Sequence, residues 1–302
     1  MAFFDRFRTE LAKYEDGVHD VGEPVSDEAK LQGLQPQLAD FYRSWNGARL
    51  FADTIVIAPV GSATLGEWPA GMLELGGDGK VRSRDEEGAI VVGSTLEKFL
   101  AAMMAREGLL VDRDGEFKEV FDEDDVTPRV RDKQTRAALK IDPDAAAWHL
   151  EAAERAFDDG DEPEAEAALA RAVALDEGAA AAWTLLGALQ RRSGRLAAAA
   201  ASFGRAAEAT TAAAVRAELA AEAARAAKEA GDETARAAHA KAVHAADAGA
   251  VARWLAEAKE RLDAGDGEGA LNRATLAAAV APDEAADVLR DARVRSKLKT
   301  LG

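Results

Sequence analysis

The sequence predicts an α+β N-terminal domain, with helices on a mostly antiparallel sheet, followed by an all-α array of helical hairpins. Three observations predict it. Within the first 126 residues, stretches of helical spacing alternate with short β-branched runs, and two Gly/Asp turns separate apolar segments. From Pro128 onward the pattern is helical throughout. Trp148 and Trp183 recur 35 residues apart in similar settings, and repeats near that length are stacked helical hairpins.

Phe3, Phe4, Phe7 and Leu11 fall at helical spacing, so residues 2–15 form an amphipathic helix against the N-terminal core. Residues 17–25 carry Gly and Pro and read as a loop, and Ser26-Asp27-Glu28 caps a short helix to about Gly33. The next stretch organises the domain. Leu38, Phe41, Tyr42 and Trp45 stand at i, i+3, i+4 and i+7 and give one apolar helix face. Asn46-Gly47 ends that helix, since both residues tolerate a left-handed backbone. Thr54–Ile57 is β-branched throughout and reads as a strand, while residues 59–71 read as irregular. Gly77-Asp78-Gly79 and Asp114-Gly115 each read as the turn of a hairpin, and Ala89–Val92 as a buried strand. Ser94 is the expected cap of a helix over Thr95–Arg106 with Leu96, Phe99, Leu100 and Met103 inward.

These residues carry a family resemblance. The aromatic helix closing on Trp45-Asn46-Gly47, with Leu34 and Pro36 upstream and an apolar strand following, resembles the core of the SUKH superfamily (Smi/Knr-like domains). Thr95–Leu100 is similar to that family's closing helix, with Leu96 where Phe is commoner. The resemblance covers about the first 125 residues and implies a small protein-binding α+β domain, in bacteria often an immunity protein against a toxin. Trp45, Asn46 and Gly47 are expected to act structurally, as core and turn.

The helical part has its own resemblance. Trp183, Leu186, Gly187, Gly194, Ala199, Phe203 and Ala206 match the tetratricopeptide signature. A first unit from Trp148 and a last one from Trp254 to Pro282 are similar to it. Residues 213–248 keep only the loop Gly231-Asp232, so a repeat there is inferred by interpolation. Small Gly187 lets paired helices approach while Trp183 and Phe203 fill the space beside them. Ala285–Leu301 is the expected final helix. Carried over from the family, the inner helices would line a groove for a peptide or protein with His149, Phe157, Thr184, Arg191, Arg192 and Lys259, beside Ala153, Ala188 and Leu255. An Ala-rich packing scaffold with no such ligand is the competing reading. The expected domains are residues 1–126, a linker and connecting helix at 127–143, and the repeats at 144–302.

Composition limits the function. There is no cysteine, which excludes disulfides, thiolate metal sites and a cysteine nucleophile. The N-terminus carries charges every few residues, unlike a signal peptide, and the Ala-rich half is broken by charges far short of a membrane span. A cytoplasmic protein is expected. The net charge is −17. Residues 1–127 contribute −13 of it, so direct binding of nucleic acid is not expected of that domain and a basic protein partner is. Its most acidic run holds Asp112, Asp114, Glu116, Glu119, Asp122, Glu123, Asp124 and Asp125 against Arg113 and Lys118. As a solvated hairpin it would need no function; as a binding face it would steer a basic toxin or nuclease.

No catalytic constellation emerges. A calcium loop at Asp112–Glu116 fails because its first and twelfth ligand positions would be Leu110 and Phe121. His239 and His244, five apart, do not share a helix face for a metal, and Gly61–Gly66 lacks the Lys-Ser/Thr of a phosphate loop. Neither enzymatic activity nor a cofactor is expected. What the SUKH resemblance implies, with the acidity beside it, is a bacterial immunity-type factor whose acidic domain neutralises a toxin. The alternative is an adaptor that brings partners together through both domains.

Overall fold

The computed structural model describes residues 3–86, 88–118, 120–122 and 125–299. The chain forms two compact units, residues 1–85 with 89–176, and residues 86–88 with 177–302. The expected boundary at 126 does not coincide with a break between them.

The first unit opens with helix α1 (Phe3–Leu11), strand β1 (His19–Val21), a 3-10 turn at Glu28–Leu31 capped by Asp27, and helix α2 (Pro36–Ser44). Strands β2 (Ala48–Leu50), β3 (Ile55–Ile57), β4 (Gly66–Trp68), β5 (Gly71–Leu75), β6 (Val81–Arg84) and β7 (Ala89–Gly93) follow. With β1 they form one antiparallel meander in chain order. The residues expected to be loop at 17–25 and irregular at 59–71 thus supply β1 and β4. Alternation fixes the buried face: Ile55, Ile57, Leu73 and Val81 are fully covered, while Val56 between the first two is not.

Helix α3 (Leu96–Glu107) buries Leu96, Phe99, Leu100 and Met103. Its cap is Thr95, whose side chain accepts from the Lys98 amide; Ser94, the expected cap, is engaged elsewhere. The Asp114-Gly115 turn closes only an isolated bridge between Val111 and Phe117. A two-residue ladder then joins β8 (Phe121–Asp122) to β9 (Asp125–Val126). Helix α4 (Pro128–Ile141) occupies the expected linker, and helices α5 (Ala146–Asp158) and α6 (Glu162–Leu175) make the first hairpin. That hairpin belongs to the sheet's unit for a packing reason. Trp148 is fully buried in the same apolar cluster as Trp45 and Phe99, 6.1 Å edge-on from Trp68 of β4.

The second unit is helical: α7 (Ala180–Arg192), α8 (Leu196–Ala209), α9 (Ala213–Glu229), α10 (Glu233–Ala246), α11 (Ala250–Asp263), α12 (Gly267–Val280) and α13 (Pro282–Lys299). The interpolated hairpin at 213–248 is present as α9 and α10. Each hairpin turns on one glycine with a left-handed backbone, Gly160 in the first unit and Gly194, Gly231 and Gly265 in the second, with φ between 77° and 79°. This is an α+β domain followed by helical hairpins of tetratricopeptide type. At Gly187 a Cβ would stand 3.1 Å from the Phe203 ring, which is the close approach expected of that position.

Candidate functional site

Trp45 is core, as its spacing implies. It is fully buried, with its ring 5.6 Å from Phe4 and from Phe7 and 5.8 Å from Phe41. Its backbone is already extended, so α2 ends one residue before it. Asn46 Oδ1 accepts from the Val60 amide at 2.9 Å, and Gly47 sits at φ 91°, where a Cβ would stand 3.0 Å from the Ile57 carbonyl oxygen. The signature residues therefore hold the fold.

The acidic run is only partly described. Asp112 Oδ1 accepts from the amides of Asp114 and Glu116, both at 3.0 Å, which makes this segment a side-chain-closed turn. Asp114 and Glu116 are exposed. Glu119, Glu123 and Asp124 lie outside the described residues, and Asp122 and Asp125 are placed through their backbone ladder alone.

The residues expected along a repeat groove divide between the units. In the first, both on α5, His149 Nε2 lies 2.9 Å from the Pro143 carbonyl and Phe157 is half-buried. In the second, the Thr184 hydroxyl donates to the Ala180 carbonyl, and Arg191 Nη1 pairs with Glu222 at 2.5 Å with its guanidinium 6.0 Å over Phe203. Arg192 and Lys259 are exposed. Arg191 is thus held within the repeats, and the Glu222 carboxyl is raised by burial against the pull of Arg191. Buried Trp254 and half-buried Trp183, whose indole N–H donates to the Glu177 carbonyl at 3.0 Å, pack within the second unit.

The first unit contains a groove that sequence reading missed. It encloses about 970 Å³ among α3, α4, α5 and residues near Trp68 and Phe117. Arg106 Nη1 meets Glu151 Oε2 at 2.6 Å, and the Arg106 guanidinium lies 4.6 Å over the Trp148 ring. Glu151 also accepts from the Thr135 hydroxyl at 3.1 Å, and Arg155 pairs with Asp132. The carboxylates of Glu107 and Glu154 line the same groove, and among the described residues neither has a hydrogen bond or ion pair. Burial and the nearby Glu151 raise Glu107 despite Arg106. Glu154 still reaches solvent but is raised by desolvation along the wall, then by Glu151 and Asp158.

The second unit has a basic surface along α13. A pocket of about 550 Å³ is lined there by Lys228, Arg290, Arg293 and Lys297, with Val294 56% exposed. Among the described residues there is no cluster of His, Cys, Asp and Glu that could hold a metal ion, and no helix is long and apolar enough to cross a membrane.

The fold defines a class, a sheet domain joined to helical hairpins of tetratricopeptide type. No protein-family model and no curated protein matches the sequence. Among solved structures, the chain is similar to a crystal structure of MamA at 19% identity, with a TM-score of 0.36 over 58% of this chain and 93% of that one. A second MamA crystal structure is 13% identical, with a TM-score of 0.32 over 51% of this chain and 93% of its own.

Proposed function

We propose that this chain is a non-enzymatic protein-binding adaptor of the cytoplasm, using one unit for each of two partners. The observation that carries it is the chemical contrast between the two units. The first has a groove with unpaired carboxylates, and the second has a basic pocket beside an exposed Val294. Surfaces of opposite charge select different partners and exclude each other's. In this reading the sheet domain is of the SUKH type, on the strength of Trp45-Asn46-Gly47, and Asp112, Asp114 and Glu116 help to steer the partner of the first unit. The exposed repeat residues Arg192 and Lys259 serve the second.

The test is cross-linking of the tagged full chain in cells, followed by sizing of what it holds. An adaptor yields a complex with two different proteins, and Arg290→Glu with Arg293→Glu releases one of them while the other stays bound. Loss of both together, or a single partner under all conditions, ends the adaptor reading. The excess of acid in residues 1–127 favours a second reading, capture and neutralisation of a basic toxin. It requires one partner in a stoichiometric complex whose toxicity this chain suppresses on co-expression.

A further inference from the structure

The groove of the first unit is built for a particular occupant. Its floor and rim are apolar, from Trp68, Met103 and Leu110 to Phe117, which is 66% exposed. Its charges are unbalanced. The groove is lined by five carboxylates and three guanidinium groups. Arg106 is engaged by Glu151, and Arg155 by Asp132 with Glu164 at 3.8 Å.

Glu107 projects from the last turn of α3 and Glu154 from the middle of α5. Among the described residues neither carboxylate has a hydrogen bond or an ion pair, and each is near another acidic group. An unpaired carboxylate in a partly desolvated wall costs free energy that a cation removes. An apolar floor with a charged wall selects a ligand that carries both features.

We propose that this groove binds a segment of a protein partner in which an Arg or Lys side chain, directed at the wall that carries Glu107 and Glu154, is flanked by an apolar residue that covers Trp68. The proposal rests on the protein-binding reading above and names the chemistry of one of its two partners. A neutral apolar segment would leave both carboxylates desolvated and unpaired, and an acidic one would add repulsion. Arginine suits the site better than lysine, since its planar group can face a carboxylate and lie on an aromatic rim.

The test uses the full chain and fluorescein-labelled peptides that alternate Arg with Leu and Phe, beside versions with every Arg replaced by Gln or by Glu, measured by anisotropy. The Arg peptide binds, and Glu107→Gln and Glu154→Gln each weaken it by about tenfold or more. Glu107 is half-buried and Glu154 exposed, and neither substitution removes an ion pair among the described residues, so thermal stability stays level and a folding defect is not the cause. A photo-cross-linker in place of Phe117 attaches to the Arg peptide. Equal binding of the Gln peptide, indifference to both Glu variants, or no binding at about 1 mM overturns the proposal. So does a concentration-dependent dimer that both Glu variants dissociate, since a second copy would then fill the groove. If the two-partner complex forms in cells and survives both Glu variants, the groove assignment falls while the adaptor reading stands.

Discussion

The Asp142 carboxylate accepts both the backbone amide of Ser94, at 2.6 Å, and the Ser94 hydroxyl, at 2.7 Å. Asp142 is fully buried at the end of α4, and Ser94 follows β7, so one side chain ties the first hairpin to the sheet. Asp176, the equivalent residue one hairpin later, accepts from the Val91 amide at 2.8 Å and treats the same strand likewise. These aspartates close the sheet edge that an unpaired β7 would expose. Asp142→Ala strands the Ser94 donors and Lys98, and is expected to cost about 3–5 kcal/mol in urea unfolding. Asp142→Asn keeps part of the network and should cost less. An unchanged midpoint for the Ala variant would show that the hairpin is held by Trp148 alone.

A second buried contact makes stability depend on pH. His19 Nδ1 accepts from the Phe51 amide at 3.1 Å, and the ring lies between Tyr14 and Phe51 at 4.7 and 4.6 Å. Burial lowers its pKa to about 4. The folded chain therefore resists a proton that the unfolded chain accepts near pH 6.5. The contribution is complete above that value and is lost as pH falls from about 6.5 to 4. For a half-buried ring the loss is roughly 1–3 kcal/mol. His19→Phe should flatten this part of the stability profile; an unaltered slope between those pH values would assign it to other groups.

Phe51 begins an unusual turn. Phe51, Ala52 and Asp53 all have positive φ, at 53°, 48° and 71°, and none is glycine. The conformation costs an L residue about 1–2 kcal/mol. It is held by the His19 contact, by Ala52 N–H to the Val18 carbonyl at 3.0 Å, and by the Arg49–Asp53 ion pair. Ala52 is exposed, so its methyl contributes little packing. Ala52→Gly should raise stability by about 0.5–1 kcal/mol, strain relief exceeding the added chain entropy. A fall in stability would mean that chain entropy outweighs the strain relief.

Long periodic elements were legible in the sequence because their period survives in one dimension. The aromatic face of α2, the strands β3 and β7, the α3 face and the repeat tryptophans all announce themselves in this way. The short strands did not. His19–Val21 and Gly66–Trp68 are three residues each, too few for an alternation, and the second begins with glycine. Helix α4 read as part of a linker because it is rich in charge, and its buried residues are Gln134, Thr135 and Ala138 rather than large apolar ones. The groove was hidden for the same reason. Its wall is assembled from Glu107 and Glu154, nearly fifty positions apart, across a helix that carries no hydrophobic signal.

The hairpin turns differ in one side chain. Asp161, Asp232 and Asp266 each follow the turn glycine and accept from the amide three residues on, at Glu164, Ala235 and Gly269. Such a cap satisfies an otherwise open donor and places negative charge at the positive end of the helix. Arg195 stands at that position in the second hairpin, before α8, with no side-chain cap and with the wrong sign of charge. Arg195→Asp is therefore expected to stabilise the chain by about 1 kcal/mol. Arg195→Asn separates the two causes, since it supplies the hydrogen bond without the charge; it should recover most of the gain, and the remainder should shrink as salt is raised. Arg195 Nε also donates to the Ser193 hydroxyl at 2.9 Å, on an exposed loop where such a bond adds little. Loss of stability on Arg195→Asp would show that the arginine holds the turn and that the three aspartates are not its equivalents.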